Sequence, residues 1–257
     1  MFDNTSSPAV RPVGALAGIT LRPLMRSVYM WMTVALAVSG VISFGLAQAF
    51  VTNFDLYFQI ANSWIILFII QIGITLALSF ALNRMSPTVA AGLFMVYAVT
   101  MGVTLSAIIF GTIAVPEVDR FGNIVAVPDW GIAVKAFAST AVVFGVMTFV
   151  GYTTKVDLSR FSTFFLMGLI GVIIAGVINM FLRSDGFSLI ISIATVLLFV
   201  GITAWDTQKI KQMAESGMIE EGTPDFGRMA ILGAFMLYLD AINLFIQLLY
   251  LFSRGRE

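Results

Sequence analysis

Seven stretches of about twenty apolar residues dominate the sequence and constrain its fold more than any motif. A helix needs about 20 apolar residues to cross the roughly 30 Å hydrocarbon core of a bilayer. The sequence therefore predicts seven transmembrane helices. Their predicted limits are residues 28–50, 60–82, 88–112, 131–152, 162–182, 187–205 and 229–252.

The composition supports this interpretation. Hydrophobic residues make up 59% of the 257-residue chain and charged residues only 11%, whereas soluble domains average roughly 25% charged residues. No alternating ten-residue strand pattern of a transmembrane barrel is present. We predict an all-α integral membrane protein, a seven-transmembrane-helix bundle over residues 28–252. A flexible cytoplasmic tail is expected over residues 1–27 and a short carboxyl-terminal tail over residues 253–257.

Loop charges predict the orientation of the bundle, because basic residues are enriched on the cytoplasmic side. With the amino terminus cytoplasmic, nine basic residues lie inside and five outside. The inner set is Arg11, Arg22, Arg26, Arg84, Lys155, Arg160, Lys209, Lys211 and Arg228. The outer set is Arg120, Lys135, Arg183, Arg254 and Arg256. A seventh span that dips in and returns would place the carboxyl terminus inside and make the bias eleven to three. We predict seven full crossings, because the last segment carries glycine only near its start.

Several classes of function lose support from what the sequence lacks. The chain has no cysteine and no histidine, so thiol chemistry and the usual general base, metal ligand and pH switch are missing. No GxxxxGK[ST], HExxH or GxSxG motif occurs, and no extended basic cluster indicates nucleic-acid binding. We therefore expect neither an enzyme nor a bound cofactor, and any proton-linked behaviour must come from carboxylates or a lysine.

Asp240 is the most informative single residue, because it interrupts the apolar run "LYLDAINLFIQLLYLF". A charged aspartate at the centre of a membrane helix costs about 2.5–3.5 kcal/mol on insertion scales, so such a residue must face the bundle interior or water. This predicts that the seventh helix is central. Asn243 and Gln247 follow at spacings of three and four and share the face of Asp240. The three side chains form a polar line of the kind that a water or ion route needs, although a satisfied structural contact between helices is the alternative.

Asp206 lies at the predicted end of the sixth span, in "GITAWDTQKIKQM". Taken alone, an aspartate at a helix end is ordinary. If the sixth and seventh spans pack side by side, however, Asp206 and Asp240 come close. Two neighbouring carboxylates cannot both ionise cheaply, so they share a proton. We predict that this pair senses pH and is the first candidate site for a calcium ion.

Arg84, at the inner end of the second span in "ALNRMSP", has two interpretations. It is either a positive-inside anchor or a charge partner of the carboxylates, able to form a bidentate bond. An ion pair that forms with an ionised aspartate and breaks on protonation would act as a gate.

Three segments, "LYLDAINLFIQLL", "TAWDTQKIKQM" and "FGVMTFVGYTTKVDLS", resemble the Bax inhibitor-1 family (the transmembrane Bax-inhibitor-motif proteins) in bacterial form. The resemblance covers about residues 24–252, with the motifs in the expected order. It implies a bundle of seven helices in which the last is surrounded by the other six. It also implies a pH-sensitive calcium-leak channel with Asp206 and Asp240 as the sensor and, by position, Arg84 as the latch.

One residue departs from the pattern of the channel-like members. Some of these carry an acidic residue inside the second span, where this chain has Gln71. Another branch of the family implies an alternative function, the regulation of a membrane-bound, ATP-dependent quality-control protease through the tail and loops. The expected partners are the lipid bilayer and calcium ions, or that protease in the alternative, with the protein a monomer in a bacterial inner membrane and its amino terminus cytoplasmic.

Overall fold

The chain forms a bundle of eight α-helices and one β-hairpin in a computed structural model that describes residues 13–118, 124–215 and 221–255. Within these ranges, side chains are described from residue 21 onward, except that of Ile124. The helices are α1 (Val13–Thr52), α2 (Phe54–Asn62), α3 (Trp64–Phe80), α4 (Pro87–Ile113), α5 (Trp130–Thr153), α6 (Ser162–Leu182), α7 (Asp185–Glu215) and α8 (Pro224–Arg254). The hairpin strands are β1 (Ala114–Val118) and β2 (Ile124–Pro128).

The count of membrane-spanning helices agrees with the sequence prediction. Six of the described helices, α1 and α4 to α8, are long and apolar enough to cross a bilayer. The remaining span is broken, because α2 and α3 pass the same test only as a pair bent by 52°. Ser63 lies at the bend, where its hydroxyl donates to the Gln59 carbonyl at 2.8 Å. The second span is therefore a bent element rather than the straight helix predicted over residues 60–82.

The first helix begins earlier than predicted. Residues 13–27 were expected in the flexible tail, but α1 starts at Val13 and continues through Pro23. Leu24, Met25 and Val28 are buried against neighbouring helices. The apolar face of the first span therefore continues toward the amino terminus and holds the added turns in the bundle. The rest of the predicted tail, residues 1–12, lies outside the described part of the chain.

The last helix is the core of the bundle, as predicted. Of the 18 consecutive residues that make up the apolar part of each span, 61% are buried in α8 and none are buried in α6. Helix α8 packs on α1, α4, α5 and α7. Its Phe235 and Tyr238 rings pack edge to face against Phe94 and Tyr97 of α4. Helices α3 and α6 lie further out, since α3 packs mainly on α4 and α6 on α7.

Helix α8 also crosses the full bundle as one unbroken helix, so the dipping alternative for the seventh span is wrong. Near its end, Tyr250 forms a 2.7 Å hydrogen bond with Ser188 at the start of α7. Arg254 forms an ion pair with Asp185 at 3.4 Å. At the opposite end, the Arg228 side chain donates to the Met85 carbonyl at 2.7 Å. The two ends of α8 are thus fixed to opposite ends of the bundle.

Two connections between spans have defined backbone geometry. In the turn from α6 to α7, the left-handed backbone (φ 50°) falls on Arg183, and Gly186 lies inside α7. The Asn179 side chain accepts a hydrogen bond from the Ser184 N–H at 3.2 Å and stabilises this turn. The segment after α4 forms the antiparallel hairpin of β1 and β2, with Ala114 opposite Pro128.

Candidate functional site

One face of α8 lines a cavity of about 930 Å³ in the bundle. Met236, Leu239, Asp240, Asn243 and Gln247 reach the cavity at helical spacings of three and four. The other walls come from α3, α6 and α7. The three residues of the predicted polar line of α8 therefore all line one cavity. They are not distributed over separate contacts between helices.

Asp206 and Asp240 both line this cavity, and both are buried, with 7% and 3% of their surfaces exposed. The two charges are close enough to interact, but the structure places no hydrogen bond between the two carboxylates. The Asp240 Oδ2 atom is buried and has no hydrogen-bond partner. A buried polar atom without a partner is costly, and among the described residues no contact between helices satisfies this oxygen.

Helix α7 positions Asp206. Asp206 lies at the predicted end of the sixth span, and α7 continues beyond it to Glu215. Ile210 and Ala214, at four-residue spacing after Asp206, are buried and hold this extension against the bundle. The carboxylate therefore lies inside a continuous packed helix.

Asn243 and Gln247 complete the polar face. The Asn243 Nδ2 atom donates to the Leu239 carbonyl on its own helix at 2.8 Å. Gln247 is half-buried and is the last residue of α8 that reaches the cavity. The next residue on this face toward the end of the helix is Tyr250, which is bonded to Ser188. The cavity thus runs along α8 for about 16 Å, from Met236 to Gln247 at 1.5 Å per residue.

Arg84 does not meet the carboxylates in this conformation. It lies exposed in a short 3-10 turn, Leu82–Arg84, between α3 and α4. Among the described residues, no ion pair within 4 Å joins Arg84 to Asp206 or Asp240. Instead, Arg228 holds the neighbouring Met85 carbonyl and pairs with Asp225 at 2.7 Å. The turn that carries Arg84 is thereby fixed to the start of α8.

The basic group that does line the cavity is Lys209, one turn after Asp206 on α7. Its Nζ atom lies over the Trp205 ring at 5.4 Å. Trp205 in turn stacks on Phe165 of α6, with ring centroids 5.8 Å apart. The sequence showed that Asp206 and Lys209 are one turn apart, but it did not indicate that α6 supplies an aromatic wall.

The cavity opens toward the part of the surface that faces lipid. Ser79 of α3 and Leu166 and Ile173 of α6 line the cavity and are exposed, the last two with 59% and 58% of their surface accessible. Helix α6 is apolar along its length and has no buried residue. A molecule dissolved in the bilayer could therefore reach the cavity between α3 and α6.

The residues of the cavity do not form a complete metal site by themselves. Within the described ranges, no group of three or more carboxylate, histidine or cysteine side chains comes together. Calcium takes six to eight oxygen ligands, and the cavity offers two carboxylates with the amide and hydroxyl oxygens of Asn243, Gln247 and Ser79. A calcium ion here would keep part of its hydration shell.

Gln71, where channel-like members can carry an acid, has a structural contact. Its Nε2 atom donates to the Thr104 hydroxyl on α4 at 2.8 Å. Gln71 is buried and is not among the residues that line the cavity. In this chain, the position joins α3 to α4.

A helical membrane protein with a central helix and a buried carboxylate pair is the class that this fold and cavity define. The sequence model of the family described as "Inhibitor of apoptosis-promoting Bax1" matches residues 21–257. The chain therefore belongs to the Bax inhibitor-1 family.

Relatives match nearly the full length of the chain. The inner membrane protein YbhL of Escherichia coli K12 is 35% identical over 236 residues, which is 92% of this chain and 93% of YbhL. A protein of Borreliella burgdorferi is 35% identical over 233 residues, covering 91% of this chain and 92% of the relative. Protein RP147 of Rickettsia prowazekii is 36% identical over 240 residues, covering 92% of both chains.

Proposed function

We propose that this protein is a pH-sensitive cation leak of the bacterial inner membrane, with calcium as the transported ion. The observation that carries the proposal is the cavity in which two buried carboxylates, Asp206 and Asp240, meet the polar face of α8. A carboxylate is expensive to keep inside a membrane protein and is typical of ion and proton pathways. The similarity to YbhL, an inner membrane protein, supports the location.

The carboxylate pair is the gate in this proposal. The charged and titratable groups of the cavity among the described residues are Asp206, Asp240 and Lys209. In the ionised state, Asp206 interacts with Lys209 one turn away, and Asp240 lies in the middle of the route. Protonation removes the repulsion between the carboxylate of α7 and that of α8, and it removes the attraction of Asp206 to Lys209. The electrostatic contact between α7 and α8 therefore changes with pH, and α8 shifts against α7.

The conformation described here fits the closed state. Along α8, no residue beyond Gln247 lines the cavity. Tyr250 and Ser188 are hydrogen-bonded just past this point. A continuous route requires these two residues to part, so opening involves a shift of α8 against α7.

We place Arg84 at the cytoplasmic mouth of the cavity and do not treat it as an established latch. With the amino terminus cytoplasmic, Arg84, Lys209 and Arg228 lie at the same end of the bundle. Among the described residues no ion pair joins Arg84 to Asp206, and the residue after Arg84, Met85, is bonded through its carbonyl to Arg228. Lys209 is the basic group that already lies in the cavity, so the two residues are to be tested separately.

A flux measurement tests the proposal. The protein is reconstituted in liposomes that contain a calcium dye, and wild type is compared with Asp206→Asn, Asp240→Asn, Arg84→Gln and Lys209→Gln. Asp55→Asn, an exposed carboxylate at the start of α2, is the matched control. We expect wild type and Asp55→Asn to leak faster as the pH falls. Asp206→Asn, which resembles the protonated residue, should leak at neutral pH as wild type does in acid.

Equal and pH-independent leak in wild type and both cavity aspartate variants would refute the function. The protease-regulator alternative predicts instead that deleting residues 1–20 changes protease turnover while the aspartate substitutions do not. Residues 1–12 lie outside the described part of the chain, and no contact within the described part favours that alternative.

A further inference from the structure

The cavity around Asp240 carries an imbalance of charge. When every ionisable side chain is charged, Asp206 and Asp240 contribute two negative charges and Lys209 contributes one positive charge. That state leaves one negative charge unbalanced, so without a further cation the two carboxylates share a proton. The Asp240 Oδ2 atom, in a residue only 3% exposed, has no hydrogen-bond partner among the described residues. An unpartnered carboxylate oxygen at a cavity wall indicates a ligand that donates a hydrogen bond or carries positive charge.

We propose that this cavity binds a single organic ammonium ion with an apolar body, which enters from the bilayer between α3 and α6. The ammonium group donates to the Asp240 carboxylate and takes the place of the shared proton. Both carboxylates are then ionised and are balanced by Lys209 and the ligand. The apolar body lies against the walls that α6 and α7 supply.

The walls of the cavity fit such a molecule better than they fit a bare metal ion. Leu169, Val172, Phe199 and Met236 present carbon atoms to most of the space, whereas calcium needs six to eight oxygen ligands. Small-molecule sites are mostly apolar pockets of about 300–1,000 Å³ with a few placed polar groups, and this cavity of about 930 Å³ falls in that range. The aromatic wall adds a further attraction, because a ring face binds cations and Trp205 already carries Lys209 in this way.

The route to the site follows from the position of the opening. Leu166 and Ile173 are exposed on an apolar helix and line the cavity. An amine with a large apolar body concentrates in the bilayer, so it meets this opening without crossing the mouth near Lys209. The site is therefore reached by amphipathic amines and not by small hydrophilic ones.

Binding of an amine and conduction of an ion are separate properties of this site. Equilibrium binding is measured without an ion gradient, so a protein that binds the amine but does not leak calcium refutes only the proposed function. A protein that leaks calcium but does not bind the amine refutes only this inference.

The test uses the full chain in dodecylmaltoside and the fluorescent amine dansylcadaverine as the probe. N-butyl dansylamide, which has the same fluorophore without the ammonium group, is the matched neutral probe. We expect saturable binding of one dansylcadaverine per chain and no saturable binding of the neutral probe. Asp240→Asn should weaken the affinity at least about tenfold, the effect of losing one charge-assisted hydrogen bond. Asp55→Asn should leave the affinity unchanged.

A second pair of variants tests the opening of the cavity if Asp240→Asn does not fold. Ile173→Trp narrows the opening and should reduce dansylcadaverine binding. Ile174→Trp, exposed on the same helix but not lining the cavity, should not. Equal affinity for the charged and neutral probes, or unchanged binding in Ile173→Trp, would overturn the inference. Displacement of the probe by phosphatidylethanolamine would also overturn it, because the occupant would then be a lipid headgroup.

Discussion

Replacing Asp240 with leucine should make the protein more stable while it removes the proposed gate. Asp240 is 3% exposed, and its Oδ2 atom has no hydrogen-bond partner. A buried polar atom without a partner costs about 1–3 kcal/mol. Removing one member of a buried ion pair normally destabilises because the other charge is left behind, but among the described residues no cation forms an ion pair with Asp240. The cavity beside Asp240 also leaves room for the larger leucine side chain.

We therefore expect Asp240→Leu to raise the free energy of unfolding by about 1–3 kcal/mol, measured by equilibrium unfolding in mixed detergent–SDS micelles. Ser39 is the internal comparison, because its hydroxyl bonds to the Ala98 carbonyl at 2.8 Å and to the Tyr238 hydroxyl at 2.7 Å. Ser39→Ala leaves those groups without their partner and should lower the free energy of unfolding by about 1–2 kcal/mol. If Asp240→Leu is destabilised by more than about 1 kcal/mol, Asp240 is a structural residue, and the claim that its burial costs stability is refuted.

Three further predictions follow from contacts between helices. Gly151→Ala should lower the free energy of unfolding by about 1–3 kcal/mol, because the added Cβ would overlap the Ala204 backbone where α5 meets α7. Gly145→Ala is the control, because its added Cβ meets open space. Equal unfolding midpoints for the two variants would contradict the prediction. Gln71→Leu loses the hydrogen bond to Thr104 and should cost about 0.6 kcal/mol in the same assay, the average for such bonds in membranes; a loss of calcium leak without a change in stability would instead show a role in transport. Arg228→Gln should increase amide hydrogen exchange at residues 82–86, because the hydrogen bond to the Met85 carbonyl is lost, and unchanged exchange there would show that the turn is held by other contacts.

The central position of α8 was predictable because the polar side chains themselves demand it. Asp240, Asn243 and Gln247 share one helix face, and membrane helices turn such a face inward. The same argument brings Asp206 and Asp240 together only if α7 and α8 are neighbours, which the order of the spans suggested and the structure shows.

The packing of α7 beyond Asp206 was not predictable from the local sequence. The residues after Asp206 are mostly polar, so their local pattern does not show what they contact. In the structure, Gln208 ties this part of α7 to the turn before α6, where its side chain accepts from the Leu158 N–H at 2.7 Å and donates to the Val156 carbonyl at 2.8 Å. These partners lie about fifty residues away in the chain, so no local pattern reveals them.

The cavity itself depends on how outer helices are placed. Helix α6 has a uniform apolar composition, which indicates a span but not which neighbours it touches. Its packing on α7 and its separation from α3 leave the space that Asp240 faces. The position of Arg84 was unpredictable for the same reason. The turn that carries it is held by the hydrogen bond from Arg228 to Met85, which are 143 positions apart in the chain.

The proposed gating requires that protonation open the polar face of α8 to water. The chain has no cysteine, so a single cysteine at position 243 can be followed directly. In reconstituted protein, the reaction of Asn243→Cys with a charged, membrane-impermeant thiol reagent is compared between pH 8 and pH 5.5. Each rate is divided by that of Gln59→Cys, an exposed position on α2, to correct for the smaller thiolate fraction in acid. If protonation opens this face, the corrected rate rises at least about tenfold in acid, and Asp240→Asn removes the difference. A corrected rate that is the same at both pH values would contradict the proposed gating.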